Sequence, residues 1–157
     1  MAKYELSSPY GETVVNSGVS VPLGQWSHLA WVYNYADLAT EFYLNGSLVT
    51  SCVQHGMMLE SSADIRIGRI NIPIYAYDGY VDEVKVFAGL RSSADIYEDY
   101  QAGLEDVGLL ARYTFDESNY LADSTRYGHD LTISSGAAAL STNASDGYAL
   151  ERDTDTA

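Results

Sequence analysis

The stretch that most constrains this chain runs from Gly24 to Val49, GQWSHLAWVYNYADLATEFYLNGSLV. From Gln25 to Tyr33 both alternating faces are largely apolar. Trp26, His28, Ala30 and Val32 lie on one face; Ser27, Leu29, Trp31 and Tyr33 lie on the other. A strand that is apolar on both sides belongs inside a layered sheet rather than on its edge. A second strand follows at Glu41 to Leu44, then Asn45-Gly46, then a third at Ser47 to Val53. Asn-Gly between two such runs predicts a hairpin, because both residues accept the positive φ of a type I′ turn. The remaining segments read as strands that cover this meander.

Composition agrees with an all-β chain. The 157 residues amount to one ordinary domain, long enough to bury a core. Three prolines, 13 glycines and 14 tyrosines suit strands joined by tight turns. No run approaches the ~18 apolar residues that would predict membrane insertion. MAKYELSS has no basic region followed by an apolar one, so no signal peptide is read there. The formal charge is −14, from 22 acidic and 8 basic side chains. Such a surface repels phosphate backbones, which argues against nucleic acid and anionic membranes and favours cations and neutral ligands. Its plainest meaning is solubility. Cys52 is the single cysteine, so no intrachain disulfide can form, and a structural thiol is expected.

The other segments follow in order. Residues 2–8 predict a strand, SPYG at 8–11 a turn, and 12–21 a strand weakened at Gly18. DIRIGR at 64–69 predicts a short strand with Ile65 and Ile67 inward. Residues 71–80 predict a loop exposing Tyr75 and Tyr77. Tyr80 to Phe87 predicts one core strand with a bulge at Asp82-Glu83. Ile96, Tyr97 and Tyr100 recur at helical spacing behind Ser92 or Ser93 as cap, and Gly103 offers a stop. Residues 103–108 form the candidate seam. Beyond it, 109–117, 131–134 and 146–153 predict strands, with a polar loop at 118–130.

WSHLAWVYN followed by EFYLNGSLV, then DIRIGR, YDGYVDEVKVF and a short helix near 92–102, resembles the laminin-G-like, concanavalin A-like lectin family. The resemblance implies an all-β, two-sheet antiparallel sandwich, a jelly roll with one short helix. It also implies an unusual order. Residues 1–104 resemble the family's closing part, while 108–157, with LLARYTFDES and ADSTRYGHDLTISS, resemble its opening part. Three arrangements fit: a circular permutant, a piece of a tandem array, or two chains exchanging strands into a homo-oligomer. Closure of one domain over 1–157, in cis or by exchange, is the favoured reading, because a split sandwich would expose unpaired edges.

The resemblance further implies a structural calcium between the opening and closing strands. Asp82, Asp116 and Asp123, with backbone carbonyls near Gly128 or His129, would supply the oxygens that a hard cation takes. The plain alternative is that these acids are turn formers and solvated charges. For sugar, an aromatic platform with a few polar groups is the expected recognition chemistry. Tyr75, Tyr77 and Tyr35, which lies beside Asp37, are the candidate platforms, although most of the tyrosines must be plain sheet residues. Trp26, Trp31 and His28 are expected to pack. Related hydrolases carry Glu-x-Asp-x-x-Glu on one strand; in VDEVKV the adjacent Asp82 and Glu83 would point to opposite faces of a strand, so no catalytic pair is read.

The expected function is a non-catalytic, extracellular or cell-surface binding or adhesion module. Its expected partner is carbohydrate or a cell-surface glycan, with calcium as an accessory. A structural or protein–protein interaction domain is the first alternative, and a glycoside hydrolase or lyase the second.

Overall fold

The computed structural model describes residues 3–8, 11–16, 18, 20–53, 67, 77, 79–102, 108–116, 119–133, 139–142, 144 and 147–152. The chain divides into two compact units, Met1–Ser62 with Gly89–Asp106, and Ala63–Ala88 with Val107–Ala157. Every described sheet is antiparallel, and the described residues include one helix.

In the first unit, β1 (Lys3–Ser8) pairs with β2 (Gly11–Asn16) in a hairpin closed by Ser8 opposite Gly11. The strand expected over 12–21 ends at Asn16, and Gly18 beyond it has a φ of 70°. A three-stranded sheet then follows in the order β3 (Leu29–Asn34), β4 (Ala39–Leu44), β5 (Ser47–Val53). The turn between β4 and β5 is the expected one, with Asn45 at φ 50° and Gly46 at φ 74°. Its side chain does more than permit the turn. Asn45 Oδ1 accepts the His28 N–H at 2.9 Å, and the Asn45 N–H donates to the His28 carbonyl at 2.9 Å. This reciprocal pair continues the β3–β4 ladder one step past Leu29 and Leu44.

The helix α1 (Ser93–Ala102) begins at a reciprocal cap. The Ser92 hydroxyl accepts the Asp95 N–H at 3.2 Å, while Asp95 Oδ2 accepts the Ser92 N–H at 2.7 Å. This is a capping box with Asp in place of the usual Glu. Ile96 of the helix meets Val32 and Tyr43 of the sheet to form the unit's core, with Ala30 packed against it. Tyr97 and Tyr100 lie so close over Gly46 that a Cβ there would sit 2.9–3.0 Å from their rings, so the hairpin turn needs glycine for space as well as for φ.

The strand expected to be central is corrected by the structure. It starts at Leu29 rather than Gln25, and among the described residues it pairs with β4 alone. Leu29 and Trp31 remain 53% and 46% exposed. The apolar alternation is real, but one of the two faces it marks is not buried.

The second unit contains β6 (Gly79–Val81), β7 (Val84–Phe87), β8 (Leu109–Tyr113), β9 (Ala139–Ser141) and β10 (Ala149–Arg152). They form one sheet in the order β6-β10-β9 and a β7-β8 pair. The single bulged strand expected over 80–87 is therefore two strands in two sheets. Glu83 takes φ 49°, a left-handed conformation costly for a side-chain-bearing residue, and this turns the chain from one sheet to the other. Leu109, Ala111 and Tyr113 alternate inward along β8. Ala111 and Tyr113 form a core with Phe115, to which Ile67, Val81, Val84, Val86, Leu131, Leu140 and Leu150 add. The strand expected to run to residue 117 stops at Tyr113, since Phe115 adopts φ 60°. Residues 131–133 are not a strand. Of 64–69 only Ile67 is described, and it faces this core as expected.

Candidate binding site

In the first unit a depression of about 360 Å³ opens beside the start of α1. Its floor is Val32 and Ala39; around them stand Asn34, Asp37, Glu41, Arg91, Ser92 and Asp95, with the exposed Leu90. The alternation that buries Val32 opposite Glu41 brings Asn34 opposite Ala39 on the same face of the sheet.

Local bonds orient each rim carboxylate. Asn34 Nδ2 donates to Asp37 Oδ2 at 2.6 Å, and Asn34 Oδ1 accepts the Ala36 and Asp37 N–H groups at 3.0 and 3.3 Å. The turn holding Asp37 is thus fixed by one asparagine. The Tyr43 hydroxyl donates to Glu41 Oε2 at 2.6 Å. Burial, reinforced by that carboxylate, pushes the Tyr43 phenol up to about 12. Asp95 is tied to Ser92, whose N–H and hydroxyl hold its carboxyl below the usual range. The groove therefore presents pre-oriented acceptors around an apolar floor, a combination suited to hydroxyl groups on a ring. Tyr35 sits in the same turn, between Asn34 and Asp37, and is 61% exposed.

Of the other expected platforms, Tyr77 is 47% exposed, and its hydroxyl donates to the Tyr80 carbonyl at 3.1 Å. Tyr75 lies outside the described residues. His28 packs against the Tyr100 ring at 5.8 Å, with Nε2 3.5 Å from Asp99 Oδ2. The helix supplies this acid, which no local spacing revealed.

The residues expected to hold calcium are placed as follows. Asp123 is 8% exposed and lies inside the loop 119–131. Its Oδ1 accepts the Arg112 and Thr125 N–H groups at 3.0 and 2.9 Å. Its Oδ2 accepts the His129 N–H at 2.9 Å and the Thr125 hydroxyl at 2.8 Å. Burial pushes this carboxyl up, but the four donors outweigh it and hold the group down at about 2. Both oxygens thus face positive ends of N–H and O–H dipoles, the opposite of a cation's needs. The His129 carbonyl accepts the Tyr113 hydroxyl. Gly128 is exposed at the loop's turn, with φ 67°. Asp116 Oδ1 accepts the Tyr148 N–H at 2.7 Å, and Asp82 Oδ1 accepts the Glu83 N–H at 2.9 Å. Among the described residues no three His, Cys, Asp or Glu side chains gather to hold a metal. The donor set at Asp123 does not fit a bound cation.

Glu83 also has a specific partner. Its Oε2 accepts from Arg112 Nη2 at 3.0 Å and Nε at 3.2 Å. It lies between strands rather than on one, so the expected opposition of Asp82 and Glu83 across a strand is replaced by this pairing.

Sequence reasoning passed over Asn34, Glu41, Arg91 and Asp95. Asn34 carried a usable signal, since an asparagine followed by a turn and an aspartate three residues on is a known turn former.

Comparison with known proteins adds three findings. The model of the concanavalin A-like lectin/glucanases superfamily (the Laminin_G_3 family) matches residues 3–97. No curated protein matches. A crystal structure of an S-layer domain-containing protein (residues 221–444) from Clostridium thermocellum is similar at 24% identity and a TM-score of 0.46, covering 62% of this chain and 50% of that one. The chain thus spans half the length of that structure.

Proposed function

Since the chain belongs to the concanavalin A-like lectin/glucanases superfamily, we propose that it is a non-catalytic binding module for neutral carbohydrate, acting outside the cell or at its surface. The observation that carries this reading is the groove beside α1. There Asn34, Asp37, Glu41 and Asp95 surround an apolar floor, and Tyr35 stands exposed in the turn that supplies Asp37. A sugar ring places its apolar face on such a tyrosine and its hydroxyls on such acceptors. The excess of acid on the rim, like the −14 overall, favours neutral over acidic glycans.

A glycan array read with calcium and again with chelator tests the proposal. Binding to neutral oligosaccharides in both conditions, reduced by Tyr35→Ala, supports the module and this site. Binding that requires calcium would restore the metal that the family resemblance implies. Silence in both conditions would remove the carbohydrate reading.

One observation favours a second reading, a protein–protein interaction domain. Leu29 and Trp31, two residues apart on β3 and so on one face of its sheet, are each about half exposed, in a chain whose net charge is −14. A concentration-dependent dimer in sedimentation, with a silent array, would support it.

A further inference from the structure

We propose that the loop 119–131 carries a second carbohydrate contact, the row Arg126–Tyr127–His129, held ready by the Asp123 carboxylate rather than by a cation. The proposal rests on the carbohydrate reading above but concerns a different place in the fold.

The three side chains form an ordered row. The Arg126 guanidinium carbon lies 5.0 Å from the Tyr127 ring centroid, and Arg126 Nη2 donates to the Tyr127 hydroxyl at 3.0 Å. The His129 ring is stacked with the Tyr127 ring, with centroids 6.1 Å apart and planes at 17°. All three residues are exposed, Tyr127 by 47%. An exposed aromatic row normally loses rotamer freedom on binding, which weakens association. Here the backbone beneath it is already fixed. The Tyr127 N–H donates to Thr125 Oγ1 at 3.3 Å, and that hydroxyl is bound to Asp123. The His129 N–H ends on Asp123 directly. Asp123 is itself held from behind by Asp130 Oδ1, which accepts its N–H at 2.9 Å. Leu131 closes the loop through the Leu121 carbonyl at 2.7 Å.

The row therefore offers the exposed part of the Tyr127 ring beside guanidinium N–H groups, over a backbone held by the loop's own bonds, and the bond to Tyr127 uses one donor of the five that arginine has. A hexose lying along it meets aromatic carbon on its C–H face and donors at its ring and hydroxyl oxygens. Tyrosine supplies such contact area at low entropic cost.

The test is an array of neutral oligosaccharides read in chelator and again with calcium, probed with the full chain and with Tyr127→Ala, Arg126→Ala, Tyr35→Ala and Asp123→Asn, each checked for an unchanged circular dichroism spectrum. The Tyr127, Arg126 and Tyr35 side chains are all exposed, so folding of these three variants should survive. The expected result is binding without calcium that weakens about tenfold in Tyr127→Ala and less in Arg126→Ala. Binding that is lost in Tyr35→Ala but indifferent to Tyr127 and Arg126 overturns the row and leaves the carbohydrate reading standing. Binding that appears only with calcium and responds to Asp123→Asn overturns the cation-free loop. No binding by the unaltered chain overturns both.

Discussion

At Asp123 one carboxylate joins four donors from β8 and its own loop. Its folded value of about 2 lies below the ordinary 3.8, so it contributes stability that is complete above the unfolded value. That contribution fades as the pH falls from near 4 towards 2. Asp123→Asn keeps the shape but sets an amide NH₂ against N–H donors. The expected loss is about 2 kcal/mol at neutral pH, the scale of a buried charge-assisted network losing an acceptor. Urea denaturation of both proteins at pH 7 and pH 2.5 checks it, with the gap between them shrinking in acid. A gap that stays constant would show that the charge is not what matters. The sequence displayed Asp123 as one acid in a polar loop. What it did not display is that Arg112, on a strand, turns its N–H toward that loop.

Among elements, the break between β6 and β7 is the instructive one. Val81, Val84 and Val86 all contribute to one core, as their apolar pattern suggested. Yet a pattern of side chains does not reveal which sheet a strand joins; the backbone at Glu83 decides that by taking φ 49°. Two substitutions separate its roles. Glu83→Ala removes the contact with Arg112 and keeps the backbone strain, whereas Glu83→Gly removes the contact and relieves the strain. The glycine variant should be the more stable of the two by about 1 kcal/mol in chemical denaturation. An alanine variant equal to or better than the glycine variant would remove the strain account. Other elements were legible for a physical reason. The Asn45-Gly46 turn and the Ser92–Asp95 cap are local chemistries, complete within four residues. The edge position of β3 among the described strands was not, because the burial of a face depends on partners far away in the chain.

For the whole molecule, the charge of −14 is the dominant quantity. Self-repulsion of this size destabilises a compact chain, and added salt screens it. Raising sodium chloride from low to physiological strength should raise the thermal midpoint by a few degrees, on the order of 1 kcal/mol for a domain of this size. A midpoint that falls would mean that ion pairs such as Glu83–Arg112 outweigh the repulsion, contrary to the modest value of partly exposed pairs. The family and its all-β character were readable at this scale because several degenerate motifs occur together. The expected calcium set was less so. Acidic residues are frequent everywhere in such a chain, and only the direction of the surrounding dipoles separates a metal ligand from an internal clasp.

The hairpin turn at Asn45 has a consequence for how this protein ages. In a loose chain, the nitrogen of a glycine that follows asparagine attacks the side-chain amide carbon, and the asparagine decays through a cyclic imide to aspartate and isoaspartate. In the folded protein the Asn45 amide oxygen is held by His28, and the Tyr97 and Tyr100 rings cover Gly46. Both contacts restrain the approach that the reaction needs. Folding thus protects the chemical integrity of the turn that folding requires. Mass spectrometry after prolonged warming should find the one-dalton gain at Asn45 slow in the native protein and fast in urea. Chains altered there should refold poorly, since an isoaspartate lengthens the backbone inside a two-residue turn.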